Sequence, residues 1–170
     1  MNEILQKYPE EVKKILAKYP EAYRKSAVIP LLYLAQREKN YLTKQSIADV
    51  AELTGLSMTD VDSVVGFYTL FHESPGGRYR LQVCTDLPCA LRGAEEFLKE
   101  LCANVGVKVG ETTADGLFTI EEVTCLAGCH RAPMMQLQGD GDIVYHENLT
   151  VASTLALIEQ LRNKAQEDSK

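Results

Sequence analysis

Apolar side chains recur at helical spacing through most of the first 71 residues. Val12, Ile15 and Leu16 predict a first helix starting at Pro9. Pro20 suits the first turn of a second, with Ala27, Leu31, Leu34 and Ala35 on its apolar stripe. The Ile29-Pro30 step is expected to kink or divide it, because proline lacks the N–H that a helix interior uses. A third helix is predicted from Thr43 to Thr54, stopped by Gly55. Ser57-Met58-Thr59-Asp60 fits a capping box that opens a fourth, through Val61, Val64, Val65 and Tyr68. The apolar run at Phe67, Tyr68, Leu70 and Phe71 is expected in the core, with part of it a candidate subunit contact.

Ser74-Pro75-Gly76-Gly77 is a cluster of turn formers, and the period changes after it. Tyr79 to Val83 alternate apolar and polar as a strand does, and Ala90 to Ala103 return to helical spacing with Ala94, Phe97, Leu98, Leu101 and Cys102 on one stripe. Asp115-Gly116 marks a turn before a strand from Leu117 to Val123. Pro133–Leu137 and Ile143–His146 read as a hairpin around Gly139-Asp140-Gly141-Asp142, and a last helix runs from Thr150 to Lys164. The expected class is α+β: an N-terminal helical bundle over residues 1–75, then a thioredoxin-like α/β domain over 76–170 with the order β-α-β-β-β-α.

A chain of 170 residues that is 45% hydrophobic can fill such cores. Its net charge of −6 is uneven, with 9 basic and 10 acidic side chains in residues 1–77 and 9 and 14 in the rest. That balance repels phosphate backbones and argues against nucleic acid as a partner. Ile47 to Ser57 with the helix that follows resemble a helix-turn-helix, which would suit a DNA-binding regulator. The would-be recognition helix, Thr59 to Phe71, holds Asp60 and Asp62 but no Lys or Arg, so a packing module is the better reading. The first residues carry neither a secretory signal nor a transit-peptide pattern, and the most apolar stretch, Ala27 to Ala35, is too short to span a bilayer. The expectation is a soluble cytoplasmic chain without direct membrane insertion.

Five cysteines, an odd number in a reducing compartment, do not suggest disulfides. Cys84 and Cys89 form a C-x4-C pair, Cys125 and Cys129 a C-x3-C pair, and each pair stands where a predicted strand ends. Two such loops at one end of a sheet bring four thiolates around one centre. Spacing alone suits a tetrahedral zinc site as well as an iron–sulfur cluster, and the unequal loops lean toward two irons, one for each pair. Cys89 stands at the predicted start of a helix, where free N–H groups favour negative charge. Arg92 and Arg131, each within three residues of a paired cysteine, are candidates to offset that charge, although surface arginines are ordinarily just solvated. Cys102 falls on an apolar stripe as a small hydrophobe. His130 is a candidate to tune the centre or meet a partner, and His72 and His146 have no recognisable company. Neither a Gly-rich phosphate loop after a strand nor a C-x-x-C redox pair occurs, and nothing reads as a catalytic site.

At these residues the chain resembles a known family, the small [2Fe–2S] subunit of NADH:quinone oxidoreductase, respiratory complex I, with relatives in NAD-linked hydrogenases and formate dehydrogenases. The matching pieces are Val65 to Phe71, Val83-Cys84-Thr85, Cys89 to Gly93, Cys125 to Cys129 and Ala132-Pro133. The second loop reads Leu-Ala-Gly between its cysteines where Leu-Gly-Ala is commoner, and Ala90 replaces a larger residue; both bear on local packing. The resemblance implies that Cys84, Cys89, Cys125 and Cys129 ligate one [2Fe–2S] cluster. It also implies docking beside a flavoprotein subunit that binds NADH and FMN, peripheral to the inner membrane if the complex is the respiratory one. The reading from another class is a zinc-stabilised interaction module with no redox role.

Overall fold

The computed structural model of the protein describes residues 2–37 and 39–168. The chain divides between Pro75 and Gly76 into two compact units, each around its own apolar core.

The first unit is helical: α1 (Glu3–Lys7), α2 (Pro9–Leu16), a 3₁₀ segment (Glu21–Ala27), α3 (Val28–Gln36), α4 (Lys44–Thr54) and α5 (Met58–Phe67). Helices α2, α4 and α5 begin where their start signals stand. The Ser46 N–H donates to Thr43 Oγ1 at 3.1 Å, and the Asp60 N–H donates to Ser57 Oγ at 3.1 Å while the Ser57 N–H returns to Asp60 Oδ2. Each such cap stabilises its helix by about 1 kcal/mol. Gly55 closes α4 in the left-handed region, at φ 72.

Two expectations need correction here, and one helix falls outside the expected set. Helix α1 has no legible pattern because it is five residues long; it is held instead by the buried Asp49 carboxylate, which accepts from the Glu3 N–H at 2.8 Å. The second helical stretch is not divided at Ile29-Pro30. It passes from 3₁₀ to α-helix at Ala27-Val28 with helical backbone on both sides, and the non-helical residue inside it is Tyr23, at φ −116 and ψ 17. Pro30 sits in the first turn of α3, where its missing N–H has no partner to lose. The aromatic run is split: Phe71 is buried, but Phe67 is 77% exposed and Tyr68 is exposed as well. Tyr68 leaves the helix in extended backbone, so the helical period that would carry it inward is broken.

The second unit holds β1 (Tyr79–Cys84), α6 (Leu87–Ala90), α7 (Ala94–Val105), β2 (Phe118–Val123), β3 (Met135–Gly139), β4 (Asp142–His146) and α8 (Val151–Glu167). The sheet order is β2-β1-β3-β4. Strand β1 runs parallel to β2 and antiparallel to β3, and β3 pairs antiparallel with β4. Tyr79, Leu81 and Val83 pack with Phe118, Ile120 and Met135 against Leu98 and Leu101 of α7 and Ile158 of α8. The alternate residues of β1 are buried too. Arg80 pairs with Glu121, the Gln82 amide donates to Glu121 Oε2 at 2.9 Å, and the Gln136 amide donates to Gln82 Oε1 at 2.8 Å. Satisfied polar groups of this kind let a central strand be covered on both faces.

At the Tyr79 end of the sheet, Asp140 accepts from Arg78 Nε at 2.7 Å, from the Tyr79 hydroxyl at 2.8 Å and from Lys164 Nζ at 2.9 Å. Burial pushes its carboxyl up, but those three donors overcome it and hold Asp140 at about 2. Asp140 and Gly141 both have positive φ, 53 and 84, as the tight hairpin turn between β3 and β4 requires. Among the described residues no helix is long and apolar enough to cross a membrane.

Candidate metal centre

Cys84 is the last residue of β1 and lies opposite Val123, the last residue of β2. Because the two strands are parallel, the loops that follow them leave the sheet at the same end. The Thr85 N–H still donates to the Val123 carbonyl at 3.2 Å, so the pairing holds as the loops begin. The Cys84 N–H donates to the Met134 carbonyl at 3.2 Å, which fixes that cysteine from the other side.

The first loop then turns back through α6. Asp86 caps it, its side chain accepting from the Leu87 N–H at 2.9 Å, and its carbonyl accepts from the Cys89 and Ala90 N–H groups at 2.8 and 2.9 Å. Cys89 thereby comes back beside Cys84, and both are buried, at 0% and 1% exposure, among Ala94, Ala132 and Met134. The long helix expected from Ala90 does not exist as one piece. Gly93, at φ 87, separates α6 from α7. The Cys89 N–H is therefore bonded within the turn and is not a free donor at the start of a long helix.

The second loop is shaped differently. Ala127 has φ 59, and its N–H donates to Cys125 Sγ at 3.3 Å. A Cβ on Gly128 would run into the sulfur and methyl of Met134, so any larger residue there requires the buried Met134 side chain to shift. Cys129 opens a single 3₁₀ turn, Cys129–Arg131. Cys125 is exposed and Cys129 half-buried.

The four thiols share one electrostatic neighbourhood. Burial pushes the Cys89 thiol up to about 12, helped by its hydrogen bond with Cys84 and by the negative charge of Cys84, Cys129 and Cys125. Burial and Cys125 push Cys129 up as well. Thiolates that repel one another this way are stabilised by a shared cationic centre, as an all-sulfur donor set suits iron–sulfur or zinc chemistry. Among the described residues no three His, Cys, Asp or Glu side chains form a preformed cage for a single ion.

The neighbouring groups fall into place around this. Arg92 Nη1 donates to the His130 carbonyl at 3.1 Å, tying the first loop to the second. Arg131 spends its charge on Glu147, at 2.7 Å, and its Nε reaches His130 Nε2 at 3.2 Å. Cys102 lies in the apolar core of α7, where burial raises its thiol. His72 is in the first unit, its N–H donating to Gln36 Oε1 at 2.9 Å. His146 lies opposite Met135 at the cysteine end of the sheet, its Nε2 buried without a hydrogen-bond partner among the described residues and its pKa lowered by burial. Asp86 and Met134 shape the site although pattern reading passes over them. Asp86-Leu87-Pro88 is a helix start signal, which could have revealed the first; nothing in the sequence marks Met134.

The sheet and helices of the second unit, read with the similarity of the whole sequence, define a class: the chain belongs to the thioredoxin-like [2Fe–2S] ferredoxin family, whose model matches residues 12–162. Its sequence is 42% identical over 139 residues to an NADH-quinone oxidoreductase subunit of Rhizobium meliloti, covering 82% of this chain and 80% of that protein. It is 40% identical over 162 residues to NADH-quinone oxidoreductase subunit 2 of Thermus thermophilus, covering 95% and 82%. The mitochondrial NADH dehydrogenase [ubiquinone] flavoprotein 2 of Dictyostelium discoideum is 44% identical over 154 residues, which are 90% of this chain and 61% of that longer protein. Among solved structures, a chain of an NAD+-reducing [NiFe]-hydrogenase shares the fold, with a TM-score of 0.64 at 22% identity over 80% of this chain and 22% of its own length.

Proposed function

We propose that Cys84, Cys89, Cys125 and Cys129 together hold one [2Fe–2S] cluster, and that the chain carries electrons within the NADH-oxidising module of an NADH:quinone oxidoreductase. The observation that carries this reading is the parallel pairing that sets Cys84 opposite Val123 and so delivers both cysteine pairs to one end of one sheet. Such a cluster supplies one-electron chemistry. The chain's own residues bind and shield it. Cys84 and Cys89 offer thiolates from a buried pocket closed to water, and the Ala127 N–H stabilises negative charge on Cys125 Sγ. In this reading the chain is a non-catalytic, electron-carrying subunit. NADH and FMN belong on a flavoprotein partner, and that partner assembly holds the chain at the membrane.

An equivalent place in an NAD-linked hydrogenase is the second reading, favoured only by the fold likeness at 22% identity. Relatives at 40% and 42% identity favour the respiratory enzyme. Anaerobic purification, with iron and acid-labile sulfide measured beside the visible and electron paramagnetic resonance spectra, tests the cluster. Equal iron and sulfide with a paramagnetic reduced state are expected. A colourless protein holding zinc would sink the proposal.

A further inference from the structure

Beside the four thiols the surface carries two leucines that the core does not use. Leu87 is 69% exposed and Leu91 is 80% exposed, while Cys89 between them is wholly buried. Their spacing places them on one side of the turn, and the Leu91 N–H donates to the Leu87 carbonyl at 3.0 Å, so the pair is held by backbone. The Asp86 cap anchors the same turn. This is a preformed apolar knob and not a frayed loop.

Next to Leu91 stands Arg92. Its side chain is exposed and reaches across to the His130 carbonyl, which holds the guanidinium over the join between the two cysteine loops. Among the described residues no carboxylate pairs with it, although the chain has an excess of acidic groups and a net charge of −6. Arg131, the neighbouring cation, is paired with Glu147. Arg92 therefore offers an unneutralised positive charge at the edge of an apolar pair, a combination typical of the centre of a protein interface.

We propose that Leu87, Leu91 and Arg92 form the docking surface for the redox partner that exchanges electrons with this chain. That partner presents an apolar socket for the two leucines and a carboxylate for Arg92. The inference rests on the function proposed above. Electron transfer falls off steeply with distance, so a partner must cover the accessible edge of the thiol site. The exposed ligand, Cys125, and the Leu87–Arg92 turn are what that edge presents. A rigid apolar pair loses little side-chain freedom on binding, and the arginine adds orientation.

The test uses the complete oxidoreductase purified with a tagged copy of this chain, comparing wild type with Leu87→Ser/Leu91→Ser, Arg92→Glu, Arg92→Gln and Arg92→Lys. Visible and paramagnetic spectra are recorded first, so that loss of the cluster is seen separately from loss of docking. The double serine variant is expected to cut the fraction of tagged chain retained in the assembly about tenfold or more, with the spectra unchanged. Arg92→Glu is expected to cut it likewise when retention is counted per cluster-bearing chain, because Arg92 also ties the two cysteine loops through the His130 carbonyl. Arg92→Lys is expected to restore most of it. Retention in wild type should fall with added salt, and less so in Arg92→Gln. Full retention of the double variant and of Arg92→Glu overturns the inference while leaving the cluster assignment intact. Should the double variant lose its cluster, the Arg92 variants decide alone. A wild-type chain with no cluster overturns the underlying function instead. Self-association of the isolated chain, abolished by Leu87→Ser/Leu91→Ser, would make a second copy the occupant and also overturn the proposal.

Discussion

Cys84 and Cys89 are packed out of solvent among Ala94, Ala132 and Met134, whereas Cys125 is exposed and Cys129 only half-buried. The first loop is positioned by backbone: a strand end, the Asp86 cap and the turn of α6. The second has a single 3₁₀ turn, with the Arg131 N–H donating to the Gly128 carbonyl and the Asn148 N–H to the Arg131 carbonyl. It adds the approach of Gly128 to Met134 and the hydrogen bond from Arg92 to the His130 carbonyl. The first loop is thus fixed locally by a strand end and a capped turn, the second by a short turn and by contacts to residues distant in sequence. On the assignment proposed above, the first pair would anchor the cluster and the second would close over it at the surface.

The sharpest way to break this comparison is Cys89→Ser set against Cys125→Ser, with visible absorption of the anaerobic proteins as the readout. Cys89→Ser is expected to abolish cluster retention, because a buried hydroxyl replaces the proposed thiolate ligand at a position closed to water. Cys125→Ser is expected to leave a perturbed cluster, since the exposed position tolerates a serine oxygen or water. Equal and complete loss in both would erase the asymmetry.

A middle-sized effect should come from Gly128→Val, whose Cβ collides with Met134. It is expected to lower stability by about 1–3 kcal/mol and reduce iron content. Adding Met134→Ala should recover part of the iron, measured on the purified chain. If Gly128→Val binds iron normally, the second loop is not held by that contact.

Asp140→Asn probes the opposite end of the sheet. Asp140 is held at about 2 when folded, below the ~3.9 of an unfolded aspartate. Its contribution is complete above that unfolded value and disappears as pH falls through about 2. The variant should lose stability at neutral pH, by less than the roughly 2 kcal/mol of the shift itself because solvent screens this exposed residue, and show a flatter acid-unfolding curve, with the cysteine site unaffected. Smallest of all for the site is Cys102→Ser, which places a hydroxyl in the α7 core. It is expected to lower the melting temperature slightly and to leave the visible spectrum as in wild type.

Periodicity carried most of the architecture. The alternation at Tyr79–Val83, the turn at Asp140-Gly141, the capping box at Ser57 and the helix start at Thr150 all stand where pattern and turn chemistry put them. What periodicity missed is local. Helix α1 is too short to show a repeat, and Gly93 interrupts a stripe whose apolar spacing continues through it. Phe67 and Tyr68 look like core in one dimension, and only the end of α5 turns them outward. At the site, the pairing of cysteines in the chain was readable, but their unequal burial was not. That inequality comes from residues distant in sequence, Ala94 and Met134, which spacing cannot place.

The Cys84–Val123 register has a consequence for how the protein is made. A zinc knuckle on a single hairpin can grip its ion while the rest of the chain is still disordered. Here the thiols of residues 84 and 125 become neighbours only after β1 and β2 have found each other across the intervening α7. A slip of one residue would turn each side chain of β2 to the wrong face and carry the second loop away with it. If the four cysteines hold the cluster as proposed, loading it requires that strand pairing be in place first, and a chain that has not folded has no site to fill.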